Sequence, residues 1–169
     1  DKDNPNNYFI IIKKINNESN NIYNTYKVRH RKTGQIFAAK IFNIYNKEFL
    51  ERIKSLKKLE NPYIVKYFKS FIVNNTIWII TEFCNCGSAK DIIKLTHKYF
   101  SENEISIILL MILKGLHFLH FQKKIHGSIK TSNILLDSNG IAKLGDFCTN
   151  FHTLNNYIKT NQNLIPPEL

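Results

Sequence analysis

The sequence predicts an α+β chain in two parts, a strand-rich first half with one helix and a mainly helical second half. Three observations carry this. Between Tyr8 and Phe83, apolar residues come in short runs and alternations of strand length, bounded by polar or turn-forming residues. Within that half, Lys47 to Leu59 instead places Phe49, Leu50, Ile53, Leu56 and Leu59 at spacings of three and four, the period of an amphipathic helix. Beyond Gly87 the dominant signal is a long apolar stretch opened by S-E-N-E, a helix-start pattern.

Taken in order, Tyr8 to Ile15 is a strand-like run ending in the polar N-N-E-S-N-N, and Thr25 to His30 alternates. Thr33-Gly34-Gln35 turns the chain into Ile36 to Phe42, which carries Lys40. Asn61-Pro62 stops the helix, because the residue before a proline is pushed out of the α region. Tyr63 to Val73, Asn74-Asn75 and Thr76 to Phe83 read as a hairpin. Gly87 to Leu95 reads as a short helix. Ser101 and Glu104 then make a capping box for a helix reaching about Phe121. That helix is apolar nearly all round, so it is expected to be buried in the core. D-S-N-G, Asp137 to Gly140, turns a second hairpin. The boundary is expected near Phe83 to Gly87, giving units at 8–83 and 84–169.

The 169 residues suffice for one substantial core or two small ones. The net charge is +11, with one basic cluster at Lys27 to Lys32 and another at Arg52, Lys54, Lys57 and Lys58. Such clusters can bind nucleic acid or acidic partners. No aromatic stacking motif accompanies them, so the plainer expectation is a solvated basic surface. The cysteines are Cys84, Cys86 and Cys148; their odd number and the lack of C-x-x-C argue against a disulfide framework or a zinc site. They are expected to be free thiols in a reducing cytosol. The densest apolar run, Ile105 to Leu113, is too short to span a bilayer. The polar start, D-K-D-N-P-N-N, lacks the apolar core of a signal peptide, and it also lacks a Met, as a piece of a longer chain would.

The chemistry concentrates in H-G-S-I-K-T-S-N, His126 to Asn133, followed by L-G-D-F-C, Leu144 to Cys148. With T-G-Q-I-F-A-A-K, N-P-Y-I-V-K-Y, I-W-I-I-T-E-F-C, G-S-A-K-D-I-I-K-L, K-G-L-H-F-L-H-F-Q-K-K-I-H and N-I-L-L-D-S-N-G-I-A-K-L-G-D-F, the chain resembles a protein kinase domain. Within that family it is similar to the sterile-twenty, Hippo-type Ser/Thr branch. The resemblance runs from Tyr8 to Leu169. It implies a bilobal protein-kinase-like fold, with a five-stranded N-lobe carrying one helix and a mainly helical C-lobe. I-P-P-E, Ile165 to Glu168, sits where the family has A-P-E, so that second lobe is truncated here, as a fragment or as a cut-down lobe.

The resemblance also implies roles. Lys40 would hold the α- and β-phosphates, and Lys130 would steady the transferring phosphate. Asn133 and Asp146 would be Mg²⁺ ligands. A polyanion with a bound divalent cation calls for cations at its oxygens and hard oxygen ligands on the metal. Ala38 and Leu135 would sandwich an adenine ring, and Glu82 to Cys84 would be the hinge, with Thr81 behind it. Leu56, Tyr67, His126 and Phe147 would form the apolar stack joining the lobes.

Several positions depart from the family pattern. Ser128 replaces the aspartate base, and a neutral hydroxyl cannot accept a proton at neutral pH. The three glycines of the phosphate loop fall at Glu18, Asn20 and Tyr23, where a Cβ hinders close backbone approach to phosphate. The helix glutamate that pairs with the strand lysine falls on Arg52, with Glu51 as rival one position away. Gly127 replaces the arginine that senses activation-loop phosphate, and Cys148 replaces the glycine after Asp146-Phe147.

The expectation is a catalytically inactive Ser/Thr kinase homologue acting as a scaffold or allosteric partner in cytoplasmic signalling. Its partners would be proteins, such as an active kinase or a signalling scaffold, rather than membrane or nucleic acid. ATP and Mg²⁺ would be weak ligands and not required. Two alternatives stand beside this reading: a weakly active ATP-dependent Ser/Thr kinase, and a basic nucleic-acid-binding module supported by charge alone.

Overall fold

The computed structural model describes residues 4–15, 23–43, 53, 57 and 59–146. Strands β1 (Phe9–Lys14), β2 (Tyr23–His30), β3 (Ile36–Phe42), β4 (Tyr67–Val73) and β5 (Thr76–Glu82) form one antiparallel sheet. Its order is β1-β2-β3-β5-β4. The strand period of two sorts the apolar residues onto its two faces. Phe9, Val28, Phe37, Ala39, Phe71, Trp78 and Ile80 pack together on one. Phe42, Tyr67, Ile77 and Ile79 pack on the other, around Ile53. Ile53 is helical and buried, as the amphipathic reading of Lys47 to Leu59 requires. Glu51, Arg52 and Leu56, and with them the pairing expected of that helix, lie outside the described residues. The β4–β5 turn is made by Asn74 and Asn75, both at positive φ (45° and 62°). Two such residues match the twist of a hairpin, and Asn tolerates the left-handed region.

The β4 strand begins at Tyr67, four residues later than expected. Tyr63 to Val65 turns instead to the second half of the chain. The Leu144 N–H donates to the Tyr63 carbonyl at 2.8 Å, and the Val65 N–H to the Leu144 carbonyl at 2.9 Å.

That second half holds a small sheet of β6 (Gly87–Ser88), β7 (Ile134–Leu136) and β8 (Ala142–Leu144). Helix α1 (Ala89–Thr96) starts two residues later than expected, because Gly87 and Ser88 pair with β7. Ser88 and Asp91 then close a capping box. Helix α2 (Glu102–Phe121) carries the predicted Ser101–Glu104 box, with the Ser101 N–H on Glu104 Oε2 at 2.7 Å. The β7–β8 turn is held by Asp137 Oδ1, which accepts from the Asn139 and Ile141 N–H groups at 2.9 and 3.0 Å. Gly140 there sits at φ 74°, which the missing Cβ permits.

The second core gathers Leu59, Ile64, Ala89, Ile112, Leu119, Ile134, Ala142 and Leu144. Two of these, Leu59 and Ile64, come from the end of the first half. Helix α2 departs from the expectation of burial. Only Ile112, Gly115 and Leu119 are buried along it, while Ile107, Leu110, Leu113 and Phe121 are exposed. The helix packs on β8 and on Tyr63 to Ile64 along one face, and nothing among the described residues covers the other. By length and composition alone the whole helix, longer than the Ile105 to Leu113 run, is long and apolar enough to cross a membrane, a test that the core helix of a soluble protein also passes. Ser106, Lys114 and His117 interrupt the run without making the whole helix polar.

Candidate active site

Lys40 is delivered by β3, where it lies opposite Thr25 on β2 and Ile79 on β5. Asp146 follows β8 and has φ 64°, a left-handed backbone that Asp visits more readily than most residues. The Lys40 ammonium donates to Asp146 Oδ1. The Tyr23 hydroxyl donates to Oδ2 of the same carboxylate. The Tyr23 ring lies against Phe42, with centroids 4.8 Å apart, and Lys40 Nζ sits 5.3 Å from the Tyr23 centroid. Burial opposes ionisation of Asp146, but the Lys40 charge and hydrogen bond, the Tyr23 hydroxyl and the Lys130 charge outweigh it. The carboxyl is therefore held below its ordinary value.

A second group is built around His126, which is buried. Its Nδ1 accepts the Ser128 N–H at 3.2 Å, so the proton resides on Nε2, which donates to the Gly145 carbonyl at 2.9 Å. Burial lowers the His126 pKa against the opposing pull of the Gly145 carbonyl and Asp146, which keeps the ring neutral. Asn133 is also buried. Its Nδ2 donates to the Ser128 carbonyl at 2.8 Å and to Ser128 Oγ at 2.9 Å. The Asn133 carbonyl in turn accepts the Gly145 N–H at 2.8 Å. The Gly145 peptide is thus clamped on both sides, and the next residue is Asp146. This chain of bonds fixes the Ser128–Asn133 loop relative to the Lys40–Asp146 pair.

Of the hinge candidates, Glu82 ends β5 and Cys84 follows it. The Glu82 carboxylate accepts the Lys66 N–H and the Lys143 ammonium, each at 2.6 Å. Lys143 also lies 3.7 Å from Asp137. Burial alone would lower the Lys143 pKa, but the Glu82 hydrogen bond and charge, with Cys84 and Asp137, raise it. Cys84 is buried, and burial followed by the Glu82 charge pushes its thiol up to about 12, which makes it inert as a nucleophile. Ala38 and Leu135 are half-buried on β3 and β7, and Lys130 is exposed. Of the expected inter-lobe stack, Tyr67 and His126 are buried, while Leu56 and Phe147 lie outside the described residues, as do Glu18, Asn20 and Cys148. Among the described residues no cluster of His, Cys, Asp and Glu has metal-binding geometry.

A family model described as protein kinase domain matches residues 21–167, most of the chain. The chain belongs to that family. Its antiparallel five-stranded sheet, with the helical Ile53 packed on one face, and its partly helical second part are those of a bilobal kinase-like fold. Kinase domains ordinarily use ATP and Mg²⁺. The donor set here fits them in kind: an ammonium at Lys40, a carboxylate at Asp146, and a carboxamide at Asn133 whose nitrogen is turned to Ser128, leaving its oxygen for a cation. When bound, Mg²⁺-ATP supplies the phosphoryl group and neutralises part of its own charge.

Two groups of this kinase domain went unread in the sequence. Tyr23 stands at a phosphate-loop glycine position in the sequence, and its reach to Asp146 spans 123 residues. Lys143 carried no local signal at all, since a lone Lys in a short strand is ordinary.

Proposed function

We propose that this chain is a catalytically inactive kinase domain of the sterile-twenty type, acting in cytoplasmic signalling as a scaffold or allosteric partner of another protein. Ser128 carries the proposal. At the position of the general base stands a hydroxyl, already engaged by the Asn133 amide at 2.9 Å. A hydroxyl there can orient a substrate but cannot take its proton, and a positioned base contributes roughly 10²–10⁴-fold. The buried framework, meanwhile, is retained: His126, Asn133 and Gly145 still hold the loop in one conformation. That combination suits a domain kept for its shape.

The competing reading is a weakly active ATP-dependent Ser/Thr kinase, favoured by the survival of Lys40, Asn133 and Asp146 together. Radiolabelled phosphotransfer from Mg²⁺-ATP to a basic peptide decides between them. The expected result is no transfer above that of Lys40→Met. Turnover of roughly 1–100 s⁻¹, the ordinary kinase range, would overturn the proposal.

A further inference from the structure

Asp146 has two carboxylate oxygens, and both are engaged within the protein: Lys40 donates to one and the Tyr23 hydroxyl to the other. Tyr23 is the first residue of β2, in register with Phe42. Its ring is set by that pairing and by the Phe42 ring, itself almost fully buried, at 4.8 Å. The hydroxyl is therefore aimed by the sheet rather than by a loop. An O–H proton directed at a carboxylate oxygen takes up one of the lone pairs that a divalent cation would use, so the hydroxyl and the cation compete for the carboxylate.

We propose that Tyr23 is an internal occupant of the phosphate and metal site, so that Mg²⁺-nucleotide binds only when the Tyr23 hydroxyl leaves Asp146. The proposal rests on the reading of Lys40 and Asp146 as the phosphate- and metal-binding pair. It goes beyond the loss of the base at Ser128, because it concerns binding rather than transfer. If the competent state is a minor fraction, apparent affinity is reduced by that fraction. Removing the hydroxyl while keeping the ring removes the competitor and preserves the packing on Phe42.

The test compares the unaltered full chain with Tyr23→Phe and Tyr23→Gly, measuring dissociation constants for ATP by calorimetry with Mg²⁺ and with EDTA. Tyr23→Phe is expected to bind Mg²⁺-ATP at least tenfold more tightly, and Tyr23→Gly should change in the same direction. The gain should vanish in EDTA. The ligand-free melting temperature of Tyr23→Phe should fall, because a hydrogen bond to a charged group is lost. Affinity within twofold of the unaltered chain for both variants would overturn the proposal. An equal gain in EDTA would also overturn it, since Tyr23 would then be filling space rather than competing for the carboxylate. Phosphotransfer by the unaltered chain would sink the proposed inactivity but leave the affinity comparison readable.

Discussion

His126 is fixed in one tautomer by two backbone groups, the Ser128 N–H and the Gly145 carbonyl. A protonated ring would carry a second N–H into the Ser128 N–H, donor against donor. Burial and this clash make the neutral ring the one the fold accepts. The folded pKa is therefore below the ordinary 6.5. The unfolded chain then binds the extra proton first. Stability contributed by neutral His126 is fully present above pH 6.5 and is lost as pH falls through the folded value. A His126→Gln variant should be less stable at pH 7.5, by about 1–3 kcal/mol for the disturbed buried hydrogen bonds. It should also lack the step in stability on moving from pH 7 to pH 5. Urea titrations at closely spaced pH values check this, and parallel pH profiles for the two proteins would refute it. Asp146 works in the same sense at lower pH, as its depressed pKa makes the Lys40 and Tyr23 contacts acid-sensitive below the ordinary 3.8.

The close approach of α2 to the Tyr63 backbone depends on one position. A Cβ placed at Gly115 would lie 2.9 Å from the Tyr63 carbonyl oxygen and 3.3 Å from Leu144 Cδ1. The carbonyl is backbone and is already hydrogen-bonded to the Leu144 N–H. Gly115→Ala should thus cost about 1–3 kcal/mol through overpacking, despite the roughly 1 kcal/mol that Ala gains over Gly in a helix interior. Chemical denaturation measures the sum, and a stabilised Gly115→Ala variant would show that the helix and Tyr63 can separate freely. The same contact explains what local pattern revealed and what it hid. The β2, β3 and β5 strands, the Asn74-Asn75 turn and the Ser101 cap were legible because each is written within about ten residues. The true start of β4 was not, because Tyr63 to Val65 bonds to Leu144, about eighty residues away. At the site, Lys40, Asn133 and Asp146 stand out in the sequence through the resemblance to kinase motifs. The Tyr23 hydroxyl on Asp146 and the Lys143–Glu82 pair were not, since both join segments that only the packed lobes bring together.

Across the whole molecule the two halves differ in how completely they are covered. The first sheet has apolar clusters on both faces. Among the described residues, helix α2 has one covered face. At about 100° per residue, Ile107, Leu110, Leu113 and Phe121 project opposite Ile112 and Leu119. Their exposures run from 54% at Leu110 to 77% at Phe121, against 0% at Leu119. A row of this kind along one helix is the sort of patch that ordinary monomers seldom leave in water. The 169-residue chain prepared alone should therefore bind a hydrophobic dye and self-associate with rising concentration. The double substitution Leu110→Glu, Leu113→Glu should abolish both behaviours while leaving the melting temperature nearly unchanged, because exposed substitutions usually shift stability by no more than about 0.5 kcal/mol. Ile112→Ala, on the covered face, should instead cost about 2–5 kcal/mol and leave dye binding at the outer face intact. Light scattering and dye fluorescence read all three proteins. A monodisperse, dye-silent unaltered chain would contradict the argument, and so would a large loss of stability in the Glu variant. The latter result would mean that Leu110 and Leu113 are packed rather than exposed.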